Sequence, residues 1–92
     1  MATSKKAHDQ FTVTNELGLH FRAAAMIIRT LGEFESQVTI SNGKTTADAR
    51  SVLELMTLSA TCGTTLSVTA HGDDAEATVA ALGALIGRNF AE

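Results

Sequence analysis

Ninety-two residues, 45% hydrophobic and 18% charged, suit one small domain near the lower size at which a chain buries an adequate core without metals or disulfides. The apolar runs are too short to span a bilayer, and a formal net charge of −3 with no basic run and only four phenylalanines for aromatic area argues against a nucleic-acid surface. The single cysteine, Cys62, excludes an internal disulfide and a cysteine-built zinc site within the chain.

In chain order, Met1-Ala2-Thr3-Ser4-Lys5-Lys6 has no apolar run behind its lysines, so no secretory signal is read and the cytoplasm is the expected compartment. The domain is expected to span 1–92, with 1–8 frayed and His8 in that frayed segment. Phe11-Thr12-Val13-Thr14 alternates apolar and polar, as a strand with one buried face does. Leu17-Gly18-Leu19 follows as a loop. Ala24, Ile27, Ile28, Leu31 and Phe34 recur at helical spacing, which predicts a helix from about Phe21 to Leu31 with Gly32 as its stop.

Gln37 to Ser41 alternates again, and Asn42-Gly43 is a hairpin signal whose returning strand is predicted over Lys44 to Asp48. Ser51 and Glu54 form a capping-box pattern ahead of a short helix ending near Ser59 to Thr61. Leu66 to Ala70 is a further alternating strand, ending at Gly72, with His71 as a surface residue. Asp73 with Glu76 then opens a last helix whose core stripe is Ala75, Val79, Leu82 and Ile86. Gly83 and Gly87 each weaken that helix by about 1 kcal/mol relative to alanine, unless close packing needs them. The order βαββαβα implies an α+β domain, an antiparallel sheet covered on one side by helices.

One constellation carries chemistry. Gly18-Leu19-His20-Phe21-Arg22 sets a histidine and an arginine at the mouth of the first helix, where unpaired backbone N–H groups and the positive end of the dipole favour an anion. Neutral imidazole is a nucleophile and is abundant near neutral pH, so these residue types fit a phosphorylated histidine with Arg22 paired to the phosphoryl group. A histidine there also serves as a helix cap or a solvated surface residue. In the short helix, Val52, Leu53, Leu55 and Met56 are apolar on more than one face. A helix lying on a sheet buries one stripe, so Leu55 and one neighbour suit the core and the others must stay exposed.

With Gly18-Leu-His-Phe-Arg22, Ser51 opening a short apolar helix, and Gly72-Asp-Asp before a terminal helix in this order, the chain from about Phe11 to its end resembles the HPr family, histidine phosphocarriers of the bacterial phosphotransferase system. The resemblance implies an open-faced β-sandwich with a four-stranded antiparallel sheet in the order 1-4-2-3 and three helices on one face. It implies a phosphoryl carrier with a phosphohistidine intermediate rather than a turnover enzyme by itself. His20 would carry the group on Nδ1, Arg22 would pair with it, and the backbone N–H groups of Phe21 and Arg22 would complete the cradle, with no metal and no cofactor.

The partners implied are enzyme I as donor and the A domain of an enzyme II as acceptor, in sugar uptake and its regulation, with the chain itself a monomer. Val52, Leu53 and Met56 match the family's apolar docking patch, and Ser51 matches the serine modified by HPr kinase/phosphorylase in some bacteria. The chain departs from the family pattern His-Ala-Arg-Pro-Ala with His20-Phe21-Arg22-Ala23-Ala24 and has no proline. Alanine for proline preserves the helix while loosening its entry. Phe21 for a small residue leaves open a nitrogen-related or purely regulatory branch. The rival classes are a regulatory relative lacking the histidine, against which His20 and Arg22 speak, and an unrelated α+β binding module.

Overall fold

Alternating burial turns four segments into one antiparallel sheet. In the computed structural model, which describes residues 5–91, β1 (Lys6–Thr12), β2 (Gln37–Ser41), β3 (Thr46–Asp48) and β4 (Thr65–His71) lie in the order β1-β4-β2-β3. Neighbours pair antiparallel, from Lys6↔His71 to Thr12↔Thr65 and with Ile40 opposite both Val68 and Ala47. Val38, Ile40, Ala47, Leu66, Val68 and Ala70 are buried, while Gln37, Thr39 and Thr46 face outward and are exposed. One face is therefore core and the other polar.

Three helices cover the apolar face: α1 (Phe21–Leu31), α2 (Val52–Met56) and α3 (Ala75–Gly87). α1 buries Ala23, Ala24, Ile27 and Leu31, and α3 buries Ala75, Thr78, Val79, Leu82, Leu85 and Ile86. Full burial of each large aliphatic side chain stabilises by roughly 1.5–3 kcal/mol. A terminal turn at Asn89–Ala91, all three residues at positive φ, plants Phe90 in the same core. The expected α+β architecture and the 1-4-2-3 order are both present.

Several boundaries differ from the sequence expectation, each for a local reason. β1 begins at Lys6, so residues 6–8, expected to be frayed, are paired in the sheet, and His8 lies opposite Thr69; residues 1–4 lie outside the described residues. This strand has only Ala7 and Phe11 half-buried, so its ladder with β4, rather than apolar alternation, defines it. The returning hairpin strand starts at Thr46 instead of Lys44, because the Asn42 side chain accepts from the N–H groups of Lys44 at 2.8 Å and Thr45 at 2.7 Å and draws both into the loop.

Ser51 caps α2 by accepting from Glu54 N–H at 3.2 Å, but the reciprocal arm goes elsewhere: the Glu54 carboxylate accepts from Asp48 N–H at 2.9 Å. In α3 the cap position belongs to Asp74, not Asp73. Gly83 is needed for close packing, since a Cβ there would stand 2.5 Å from the Phe11 ring, whereas Gly87 has nothing within 4 Å.

Two side chains from elsewhere in the chain hold the turn from α1 to β2. Arg50 donates to the carbonyls of Leu31 at 2.9 Å, Phe34 at 2.8 Å and Ser36 at 2.9 Å, which also places a cation at the negative end of α1. The Asp74 carboxylate accepts from Glu35 N–H at 2.9 Å, Ser36 N–H at 3.0 Å and the Ser36 hydroxyl. α1 is thus pinned at its C-terminal end, with its N-terminal end left for the site.

Candidate functional site

The loop before α1 is built to aim one imidazole. Gly18 has φ +64, and a Cβ there would press into the Ala60 carbonyl oxygen and stand 2.9 Å from Thr61 Cα, so only glycine fits the turn. Leu19 N–H donates to Ala60 carbonyl at 2.8 Å and its side chain is buried. Buried Asn15 donates its side-chain amide to the Gly18 carbonyl at 2.8 Å. These contacts fix the chain up to His20, which is the N-cap of α1 in an extended conformation, φ −82 and ψ 175.

His20 is half-buried, and its Nδ1 accepts from the Ala23 N–H at 3.3 Å. That contact requires a lone pair on Nδ1, so the ring proton sits on Nε2 in this state. That nitrogen thus faces the positive end of a helix of 11 residues. The 3.3 Å separation is long for a hydrogen bond, which leaves the N–H group available to a better acceptor. Phe21 and Arg22 occupy the next two positions, where helical N–H groups have no intrahelical acceptor. Arg22 is exposed, and its guanidinium has no hydrogen bond or ion pair among the described residues. The first turn of α1 carries no acidic side chain.

α2 packs against α1, and four residues after Met56 the chain reaches Ala60, whose carbonyl accepts from Leu19. Within α2, Leu55 is fully buried and Val52 is half-buried against the core. Of the three residues expected at the docking patch, only Leu53 and Met56 are exposed, at 79% and 38%. Ser51 is half-buried at the helix start, with its oxygen engaged as the cap. His8 and His71 lie on strands, both exposed.

Sequence reasoning missed three features of the turn and the helix start. Asn15 holds the turn, and the signal was an amide three residues before a glycine. Ala23 supplies the N–H on Nδ1, which follows from His20 being the cap. Leu17, 71% exposed beside the turn, was an apolar residue outside any periodicity. Among the described residues no cluster of three or more His, Cys, Asp or Glu side chains has metal-binding spacing, and no helix is long and apolar enough to cross a membrane.

Comparison with known proteins places this arrangement among relatives. Residues 7–88 match the family model described as "PTS HPr component phosphorylation site". The chain is 37% identical to a phosphocarrier protein HPr of Xylella fastidiosa, covering 90% of this chain and 93% of the relative. It is 39% identical to a phosphocarrier protein NPr of Shewanella violacea, covering 95% and 96%. The crystal structure of HPr-C-His from Thermoanaerobacter tengcongensis superposes with a TM-score of 0.88 at 31% identity, over 94% of this chain and 97% of that one.

Proposed function

This chain belongs to the HPr family of phosphotransferase-system phosphocarriers, and we propose from that premise that His20 is its phosphoryl-accepting residue. Phosphorylated enzyme I is the donor and the A domain of an enzyme II the acceptor, in the cytoplasm, with the chain acting as a monomer and needing no cofactor. The observation that carries this reading is the Nδ1 lone pair turned onto the start of α1, 3.3 Å from Ala23 N–H.

Transfer asks little covalent chemistry of the protein. The Nδ1–P bond forms as the N–P bond of the donor breaks, and the departing imidazole keeps that electron pair. The incoming group displaces the Nδ1 contact, so its oxygens take over the Ala23 N–H together with those of Phe21 and Arg22. The Arg22 guanidinium adds charge from the solvent side. A cradle of backbone donors at an exposed helix end holds the group against water without a well deep enough to stop onward transfer.

Leu53 and Met56 form the apolar docking face on α2, with Val52 contributing through the core beneath it. Ser51 is the position for regulatory phosphorylation where an HPr kinase/phosphorylase exists. The similarity to NPr, over 95% of the chain, favours a second reading in which the same chemistry serves a nitrogen-related branch rather than sugar uptake.

The test is incubation with enzyme I and phosphoenolpyruvate followed by intact-mass measurement. Wild type gains one acid-labile, alkali-stable phosphoryl group. His20→Ala loses a helix cap, a cost of about 0.5–2 kcal/mol that leaves the domain folded, and gains none. A phosphoryl group that persists in this variant, or maps to His8 or His71, removes His20 from the role.

A further inference from the structure

The peptide unit joining Gly18 to Leu19 is held at both of its polar ends. Its N–H donates to the Ala60 carbonyl at 2.8 Å, and its carbonyl accepts from the Asn15 side-chain amide at 2.8 Å. The same carbonyl also accepts from the backbone N–H of His20 at 3.0 Å. Asn15 therefore grips the atom on which the main chain of the reactive residue rests. Resting on the carrier reading above, we propose that Asn15 is a positioning residue for phosphoryl transfer: its amide locks this one peptide plane and, through it, the direction of the His20 ring.

Closing the turn does not need that amide. Gly18 N–H already donates to the Asn15 carbonyl at 3.1 Å, an acceptor that any residue at 15 would supply. The side chain is nonetheless only 3% exposed, and burying an amide is unfavourable unless its hydrogen bonds offset the lost hydration. The other buried polar side chains among the described residues, Ser36 and Thr78, both reach the Asp74 carboxylate, which leaves Asn15 as the one in the loop before α1. The lock also has something to resist. Gly18 sits at φ +64 without the Cβ that would confine its backbone, so the peptide after it turns over more readily than at other residues. A turned-over plane points its N–H away from Ala60 and withdraws its carbonyl from His20 N–H. The N-cap then leaves its extended setting, and Nδ1 is no longer held 3.3 Å from Ala23 N–H. The exposed residues of α2 lie on another element, so the loss falls on the chemical step and not on docking.

The experiment compares wild type, Asn15→Ala and Asn15→Asp as acceptors from phosphorylated enzyme I. Donor concentration is varied at each pH from about 5 to about 8, below every melting midpoint. Asn15→Ala lowers the rate at saturating donor about tenfold or more and leaves the half-saturating concentration within about twofold of wild type, as a misaligned nucleophile on an intact docking face requires. Aspartate matches asparagine in size: protonated, its O–H donates to the Gly18 carbonyl as the amide does, and ionised, it repels that oxygen. Burial raises its pKa, so the Asn15→Asp rate, taken as a ratio to wild type to remove the titration of His20, climbs as pH falls. A general loss of packing produces no such climb. An Asn15→Ala rate at saturating donor equal to wild type overturns the proposal, as does a rise in half-saturating concentration alone, or an Asn15→Asp ratio that is flat with pH. Wild type that takes up no phosphoryl group at any pH overturns the carrier reading, and this proposal with it.

Discussion

Gly18→Ala is the sharpest single test of how the turn positions His20. The new Cβ meets backbone on both sides, the Ala60 carbonyl oxygen and, at 2.9 Å, Thr61 Cα. Backbone yields less readily than a side chain, and overpacking of this kind costs about 1–3 kcal/mol. The φ of +64 adds about 1–2 kcal/mol for a residue with a Cβ, and the stiffer unfolded chain returns roughly 0.4–1 kcal/mol. The net loss is about 1–4.6 kcal/mol, so in a domain of this size the melting midpoint falls by about 4 °C or more.

The two hydrogen bonds that meet at this turn, Leu19 to Ala60 and Asn15 to Gly18, must lengthen to relieve the clash, and His20 moves with them. A displacement of about 1 Å at a reacting atom costs on the order of a hundredfold in rate. Transfer from enzyme I, measured well below the melting midpoint, therefore drops far more than the unfolded fraction explains. Gly43→Ala is the control: φ is +94 there too, but nothing lies within 4 Å of its Cβ, so it loses stability through strain alone and keeps its transfer rate. A Gly18→Ala melting point within about 2 °C of wild type, or a Gly43→Ala transfer rate equally damaged, would refute the steric argument.

Two further outcomes follow from particular contacts. Asp74 is held below the usual aspartate range, chiefly by the Ser36 hydroxyl and then the Glu35 N–H. Being depressed in the fold, it contributes stability that is fully present above about pH 3.9, the unfolded value, and lost as pH falls through the lower folded value. Asp74→Asn should lower stability at neutral pH and flatten the acid limb of a denaturation series taken from pH 5 downward; parallel curves for the two proteins would count against it. Ser51→Asp keeps a good cap, so its melting should stay within about 0.5 kcal/mol of wild type. The charge it brings beside Leu53 should slow phosphorylation by enzyme I, with the loss easing as salt rises; equal rates at low salt would leave Ser51 with capping alone.

Elements with a clear period were legible in the sequence: α1 runs from Phe21 to Leu31 as its spacing predicts, β2 spans Gln37–Ser41 as read, and α3 buries the expected Ala75, Val79, Leu82 and Ile86, with Thr78 and Leu85 in addition. What escaped was set by partners distant in the chain. β1 is a strand because β4 pairs with it from Lys6 onward, and a polar segment such as Lys6-Ala7-His8-Asp9 carries no periodicity to announce that. Asp74, not Asp73, stands at the start of α3, and its carboxylate accepts from the N–H groups of residues 35 and 36 rather than from the helix backbone. At the site, the helix start and His20 were readable from spacing, whereas the half-burial of Val52 depends on how α2 lies on the core. The exposure of Leu17 had no sequence signal beyond its apolar character in a loop.

The pinned turn between α1 and β2 has a consequence for anyone redesigning this surface. Arg50 is exposed and Asp74 is half-exposed, so a rule that frees outward-facing positions for substitution would vary both. Yet one satisfies three carbonyls and the other two N–H groups of the same short segment, and no water-filled replacement does both from a fixed direction. Lysine at 50 offers charge without the planar fork, and asparagine at 74 turns one of the accepting oxygens into a donor. A library built on this surface should therefore hold positions 50 and 74 constant.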